Sequence, residues 1–228
     1  MGILRALKHL YFSSTNCKRP ISHQDDRSFQ WQVRPAGLDD VAGVADILAD
    51  SFHSREGVLG WLYPILRLGI YEDIRNRLYS ASPHHVCLVA VGMAAKTTPA
   101  NDSYAIGNGL AGTVEMTVRS IPSGSGNPYT DLYRSNHRYP YLSNLAVHSQ
   151  HRRQGVAAQL LLNCEQIALS WGFRDLYLHV LENNYQARQL YFKLGYQLHQ
   201  ADNSWSTLLL KRPRQLLLHK CLNLTATS

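Results

Sequence analysis

The chain has 228 residues, 45% of them hydrophobic, which is enough for one well-buried domain with tails. Its 23 Lys and Arg outnumber its 16 Asp and Glu; the net charge of +7 suits anionic ligands, and the scattered basic residues predict no dedicated nucleic-acid module. No apolar run reaches the ~20 residues of a membrane span, and four cysteines without metal-ligand spacing predict a reducing compartment and no metal.

Three regions differ in character. Residues 1–30 are basic and polar, and we expect a flexible N-terminal tail there. They lack the apolar core of a secretory signal and make a poor organelle transit peptide. We expect one domain over residues 31–211 and an appended C-terminal extension over residues 212–228.

The first half of the domain shows clear periodicity. In chain order it predicts a strand at Trp31–Arg34, a helix after Asp39 and Asp40 with Val41, Val44, Leu48 and Phe52 buried, a second helix carrying Leu62, Ile65, Leu66, Ile70, Ile74 and Leu78, and strands at Val86–Val91 and Leu110–Arg119.

A Gly-, Pro-, Ser- and Tyr-rich stretch over residues 119–139 predicts a long surface loop. Loops of this length are more often functional than accidental. Its residues Tyr129, Tyr133, Arg138 and Tyr139 would either contact a peptide acceptor or cover the edge of the domain.

The most informative stretch runs from Tyr141 to Ala158. An apolar strand over residues 141–147 gives way to a basic turn and then to an amphipathic helix predicted from Arg153. Gly155 and Ala157 allow close backbone approach, and the adjacent arginines add positive charge. Because helix N-termini offer unpaired N–H groups and a favourable dipole, this turn predicts a pyrophosphate cradle.

The segment Arg152-x-x-Gly155-x-Ala157, after a Leu-Ala-Val strand, resembles the acetyl-CoA site of the GNAT superfamily of N-acetyltransferases. The resemblance implies that the strand backbone pairs with the pantetheine arm and that one of its N–H groups polarises the thioester carbonyl. The coenzyme-binding residues that it implies are Leu145, Ala146, Val147, Arg152, Arg153, Gln154, Gly155, Val156, Ala157, Ala158, Asn184 and Tyr191.

A second motif lies downstream. Asn184-x-x-Ala187-x-x-Leu190-Tyr191, ended by Gly195-Tyr196, is similar to the family segment whose asparagine binds coenzyme A and whose tyrosine protonates the departing thiolate. On a helix, Asn184 and Tyr191 share one face. Tyr191 is therefore the candidate general acid, the alternative being an ordinary packed aromatic.

The general base has two candidates. His179, on a strand predicted at Asp175–Leu181, occupies the position where many relatives carry a glutamate. A neutral imidazole there could accept the ammonium proton directly or through water. Glu115, on the strand before the long loop, is the competitor, and an ordered water chain is the third possibility.

The element order implies the GNAT fold, an α/β (α+β) domain. We expect one mixed, mostly antiparallel sheet of six or seven strands and about four helices, with two splayed strands holding the coenzyme. The domain would close with a hairpin of Tyr196–Gln200 and Trp205–Leu210. The sequence around Tyr141–Val147 is similar to that of the cyanobacterial and plastid GNAT group, which acetylates protein N-termini and lysines.

We therefore expect acetyl-CoA as cosubstrate, no metal and direct transfer in a ternary complex to a protein or peptide amine. The alternatives are acetylation of a small amine (polyamine, amino acid or aminoglycoside) and a catalytically silent acyl-CoA sensor. The short N-terminal tail favours a bacterial cytoplasm, possibly cyanobacterial, with the plastid stroma as the alternative. The sequence leaves monomer and homodimer open.

Overall fold

The computed structural model describes residues 31–52, 62–80, 82–92, 109–120, 138–201 and 213–222. Its helices and strands, in chain order, are β1 (Trp31–Pro35), α1 (Val41–Phe52), α2 (Tyr63–Tyr79), β2 (His85–Gly92), β3 (Leu110–Ser120), β4 (Arg138–Val147), α3 (Val156–Ser170), β5 (Asp175–Leu181), α4 (Tyr185–Lys193), β6 (Gln197–Ala201) and β7 (Gln215–Cys221).

One sheet holds all seven described strands, in the order β1-β2-β3-β4-β5-β7-β6. Every neighbouring pair is antiparallel except β4 and β5, which run parallel. The mixed, mostly antiparallel sheet and its four described helices confirm the predicted fold class. None of the helices in the described ranges is both long and apolar enough to cross a membrane.

The parallel pair is short. β4 and β5 are matched only at Tyr141 with Tyr177 and at Leu142 with Leu178. Beyond these positions β4 continues to Val147 and β5 to Leu181, so the two strands part. The carboxyl-terminal halves of β4 and β5 therefore form a fork in the middle of the sheet, as the splayed strands of the expected fold require.

The helices cover the two faces of the sheet. Residues of α3 and α4 pack with Leu88, Leu142 and Leu178 in one apolar cluster. Residues of α1 and α2 pack with Val89 and Ala146 in another. Because successive strand residues point to opposite faces, Leu88 and Val89 place the two clusters on opposite sides of the sheet.

The predicted end of the domain is wrong. β6 pairs with β7 at Gln215–Cys221, and β7 also pairs with β5, so it lies inside the sheet. Leu216 and Leu218 of β7 are buried in the core on the α3 side. Part of the supposed extension over residues 212–228 thus belongs to the domain, while the predicted closing strand Trp205–Leu210 lies outside the described residues. The leucines of β7 are buried because β7 lies between β5 and β6, and the local sequence pattern does not reveal which strands will be its neighbours.

Gly112 on β3 permits the close packing beside the fork. A Cβ at this position would lie 2.8 Å from the Ala146 carbonyl oxygen, 2.9 Å from Val156 Cγ1 and 3.3 Å from Leu160 Cδ1. β4 and α3 therefore approach β3 as closely as they do because residue 112 has no side chain.

We expect Gly112→Ala to lower the free energy of unfolding by about 1–3 kcal/mol, because the added methyl overpacks this contact. Gly69→Ala is the control, since a Cβ there meets nothing within 4 Å. In the middle of α2 it should raise stability by roughly 0.5–1 kcal/mol through helix propensity. Thermal melts of the two variants should shift in opposite directions; equal shifts would contradict the packing role of Gly112.

Candidate active site

The turn between β4 and α3 forms the first wall of the site. A 3-10 turn at Ser149–His151 follows β4, and α3 begins at Val156, not at Arg153 as predicted. The helix starts later because Arg153 and Gly155 both have positive φ, +65° and +82°, which a right-handed helix excludes. Of the two predicted small residues, Gly155 lies just before the helix and Ala157 lies in its first turn.

The amides at the start of α3 are available to a ligand. The first helical hydrogen bond runs from the Gln159 N–H to the Gly155 carbonyl, 3.0 Å. The N–H groups of Val156, Ala157 and Ala158 precede it and have no acceptor within the helix. They carry the positive end of the helix dipole, which favours an anion here.

The turn is tied to the rest of the fold. The indole Nε1 of Trp31 on β1 donates to the Gln154 carbonyl at 3.1 Å. Arg152 Nε donates to the Val147 carbonyl at 3.3 Å, and Gln154 Nε2 donates to the Gln150 carbonyl at 3.0 Å. The first bond connects the turn to β1, the second connects it to the end of β4, and the third links two residues within the turn.

The space above the turn fits a diphosphate. A Cβ placed on Gly155 would meet nothing within 4 Å, so this backbone faces an open volume. Arg152 and Arg153 are exposed beside it. Open backbone, unpaired amides and cations are the features of an anion site. The residues present thus fit the pyrophosphate end of a nucleotide coenzyme.

The edge of β4 forms the second wall. Glu115 of β3 pairs with Ser143 and Thr113 pairs with Ala146, so β4 carries an extra residue between these pairs. This is a β-bulge, and Asn144 within it has a φ of +53°. Beyond the bulge β5 has already diverged, so alternate amides of residues 145–147 face the fork without a strand partner.

Tyr191 lies on α4, packed into the cluster that contains Leu178 and Val180 of β5. Its side chain is 7% exposed. Burial raises the pKa of the Tyr191 phenol to about 12, and the neighbouring Tyr141 adds to the shift. The hydroxyl therefore stays protonated at neutral pH.

His179 lies one residue beyond the last position at which β5 pairs with β4. It alternates with the buried Leu178 and Val180, so it is on the face of the sheet opposite Tyr191. Its Nδ1 is 2.8 Å from the Tyr141 hydroxyl. The Arg119 guanidinium lies 3.6 Å from the centre of the Tyr141 ring. The imidazole is thus held at the point where β4 and β5 separate.

The carboxylate of Glu115 is buried among hydrogen-bond donors. Its carboxylate accepts hydrogen bonds from Arg77 Nη1 at 2.5 Å, His85 Nε2 at 2.6 Å and Asn144 Nδ2 at 2.7 Å. Burial raises the pKa of Glu115, but the His85 hydrogen bond and the Arg77 charge outweigh it, and the net shift is downward. A carboxylate so stabilised is a weak proton acceptor.

The remaining predicted residues have separate positions. The Asn184 side-chain oxygen caps α4 by accepting the Ala187 N–H at 3.1 Å, a bond that does not involve its amide nitrogen. Arg138 Nη2 lies 3.2 Å from His84 Nδ1, and the Tyr139 ring meets Tyr177 edge to face at 5.3 Å. Tyr129 and Tyr133 lie outside the described residues.

Three residues of this site were not predicted from sequence. Trp31 was identified only as a strand residue, Tyr141 only as part of an apolar run, and Asn144 carried no assigned role. The asparagine did offer a signal, since Asn is several-fold enriched among non-glycine residues with positive φ. Among the described residues no cluster of three or more His, Cys, Asp or Glu could hold a metal ion.

Known proteins share this architecture. Arabidopsis thaliana NAA60 in complex with acetyl-CoA superposes with a TM-score of 0.59 at 18% identity, covering 85% of this chain and 99% of that one. The NatC complex bound to Gag peptide and CoA gives a TM-score of 0.55 at 14% identity, with 85% and 99% covered. At such identities these likenesses establish the fold.

Sequence comparison identifies the family. The chain is 26% identical over 195 residues to the chloroplastic GCN5-related N-acetyltransferase 10 of Arabidopsis thaliana, covering 83% of this chain and 72% of the relative. Residues 71–196, which span the fork, the turn and α4, match the family model described as the acetyltransferase (GNAT) family. The chain therefore belongs to the acetyltransferase (GNAT) family of acetyl-CoA-dependent N-acetyltransferases.

Proposed function

We propose that this protein transfers the acetyl group of acetyl-CoA to protein or peptide amines, N-terminal α-amines and lysine side chains, by direct attack in a ternary complex. One observation carries the proposal. At the fork, the His179 imidazole, a side chain able to accept a proton, lies on one face of the sheet, and the Tyr191 phenol, which is able to donate one, lies on the other. An amine can enter from one face while the thiol leaves toward the other.

The binding roles follow from the two walls. The amides of Val156–Ala158, with Arg152 and Arg153, hold the diphosphate. Leu145, Ala146 and Val147 pair with the pantetheine arm, and an N–H of this stretch donates to the thioester oxygen. The Asn184 amide nitrogen adds a contact from α4. Bound there, acetyl-CoA supplies the activated acetyl group.

His179 is the proposed base. In the tautomer that protonates Nδ1, the imidazole donates to the Tyr141 oxygen, and Nε2 carries the acceptor lone pair. Tyr141 fixes the ring orientation, and the exposure of His179 lets an amine or a bridging water approach. Glu115 is the weaker candidate because its oxygens already accept three hydrogen bonds and its pKa is lowered.

Tyr191 is the proposed acid. A buried phenol with a pKa of about 12 keeps its proton until a strong base forms beside it. The departing thiolate is such a base when it first forms in a site of low polarity. The proton then passes from the Tyr191 oxygen to the sulfur.

The charged side chains around the fork are the basis for the proposed class of acceptor. The Arg119 guanidinium lies over the Tyr141 ring. Glu115 lines the pocket behind the bulge, and its carboxylate is paired with Arg77 and His85. A polyamine would need unpaired carboxylates near the fork, so this lining favours a peptide amine. The peptide bound to the NatC complex, which has a similar fold, agrees with this choice.

A panel assay separates the candidate functions. Thiol release from acetyl-CoA should occur with peptides. Release with small amines alone would establish the small-molecule alternative instead, and coenzyme binding without release would establish the sensor. The placement of His179 and Tyr191 at the fork favours turnover over sensing.

The relatives also support a compartment. The similar Arabidopsis proteins include the chloroplastic GCN5-related N-acetyltransferases 10 and 7. We propose that the protein works in a plastid stroma or in the corresponding cyanobacterial cytoplasm. The free, buried thiols of Cys87 and Cys164 suit such a reducing environment.

Replacing Gly155 tests the cradle. In Gly155→Ala the new Cβ projects into the open anion site, and we expect the KM for acetyl-CoA to rise about tenfold or more, because charge-assisted hydrogen bonds are worth about 1.5–3 kcal/mol. Gly172→Ala is the matched control: its φ is +84°, and its Cβ also meets nothing within 4 Å. Both variants carry similar backbone strain, so equal KM values would contradict the cradle.

Removing one hydroxyl tests the acid. We expect Tyr191→Phe to lower kcat about 100-fold, in the range for general acid catalysis, with the KM for acetyl-CoA nearly unchanged. Tyr185→Phe is the control on the same helix, since Tyr185 is 69% exposed. Steady-state kinetics measures both constants. If Tyr191→Phe has the kcat of the native protein, Tyr191 is not the general acid.

The pH profile tests the base. Because a protonated imidazole cannot accept the ammonium proton, kcat of the native protein should fall toward acid pH. His179→Gln should lower kcat about 100-fold and remove this acid limb. His199→Gln, an exposed histidine on β6, should keep both the rate and the limb. If kcat of His179→Gln still fell toward acid pH as in the native protein, another group would be the general base.

A further inference from the structure

The bulge of β4 has an anchor that the reaction scheme above does not use. Asn144 has a φ of +53°, a left-handed conformation that residues other than glycine rarely adopt. Its side-chain Nδ2 donates to Glu115 Oε2 at 2.7 Å. The residue that turns the backbone of β4 is thus held by a side-chain hydrogen bond to the adjacent strand.

Glu115 is itself rigidly placed. It is 5% exposed, and its other bonds come from Arg77 on α2 and His85 on β2. Three elements therefore converge on one carboxylate. Arg77 also pairs with Asp73, one turn earlier on α2. The Asn144 side chain is bound to a group that cannot easily move.

The bulge determines which backbone groups of β4 face the fork. The extra residue lies between the Glu115–Ser143 pair and the Thr113–Ala146 pair. In a strand, a register change of one residue turns every following group to the other side. Loss of the bulge would therefore exchange the amides of residues 145–147 that face the fork with those that face β3.

We propose that Glu115 is a positioning residue that, through the Asn144 side chain, fixes the β4 bulge and so determines which amides of residues 145–147 face the fork. The effect on catalysis rests on the function proposed above, whereas the effect on the backbone does not. Glu115 acts through Asn144 and takes no proton from the substrate.

Substitutions at Asn144 isolate this link without disturbing the pairs of Glu115 with Arg77 and His85. Asn144→Ala removes the side-chain bond and disfavours positive φ. Asn144→Gly also removes the bond but adopts positive φ without steric cost. If the backbone conformation is what matters, Asn144→Ala should lower kcat about 10- to 100-fold, as a misplaced reacting group does, and Asn144→Gly should lose far less.

Rescue distinguishes positioning from chemistry. Glu115→Ala should lower kcat with little change in the dissociation constant for coenzyme A, and adding Asn144→Gly should restore much of the loss. Arg77→Gln is the stability control, because it removes an ion pair of Glu115 and leaves the bond to Asn144. It should lower the thermal midpoint while leaving kcat within about threefold of the native value.

Hydrogen exchange provides a readout that is independent of activity. In Asn144→Ala and Glu115→Ala the amides of residues 143–147 that bond to β3 should exchange at least about tenfold faster, while those in the middle of α3 keep their rates. If the native protein acetylates no peptide but these amides still respond, the proposed acceptor is wrong and the anchoring of the bulge stands.

Three results would overturn the inference. The first is unchanged exchange at residues 143–147 in both variants. The second is a double variant, Glu115→Ala with Asn144→Gly, that is no more active than Glu115→Ala. The third is an equal loss of kcat in Arg77→Gln and Glu115→Ala at equal loss of stability, which would make Glu115 only a structural support.

Discussion

The parallel contact between β4 and β5 lasts for two residue pairs and then ends, and the site depends on this separation. Strand amides that lose their neighbour inside a protein must find another partner, because an unpaired buried N–H is costly. The edge of β4 beyond Asn144 is therefore suited to an amide-bearing chain such as pantetheine. The interrupted strand pairing is therefore the feature on which the proposed binding surface rests.

Several features keep the fork open. Gly112 lets β4 and α3 pack closely on β3, the bulge at Asn144 changes the direction of β4, and Trp31 holds the turn through the Gln154 carbonyl. These contacts come from three different strands. The surface proposed for the coenzyme is thus organised by the sheet, and such preorganisation limits the conformational entropy lost on binding.

Burial has opposite outcomes at two ionisable groups of the site. It raises the pKa of Tyr191, whose phenol stays neutral and able to donate. It also acts to raise the pKa of Glu115, but the hydrogen bonds and positive charge of its neighbours outweigh the effect. The first group is suited to proton transfer and the second to fixed hydrogen bonding. Burial therefore leaves Tyr191 protonated and Glu115 ionised, because the two groups have different neighbours.

The sequence by itself determined the features that depend on short stretches of chain: most helices and strands, the basic turn before α3 and the placement of Tyr191 on a helix. Periodicity and turn chemistry are local, so a single chain reveals them. Only the tertiary structure decided the rest. Tyr141 and His179 are 38 residues apart, and Trp31 and Gln154 are 123 apart, so no local pattern pairs them. The same reason explains the position of β7 and the partners of Glu115, since strand order and buried polar networks arise only when distant segments pack together.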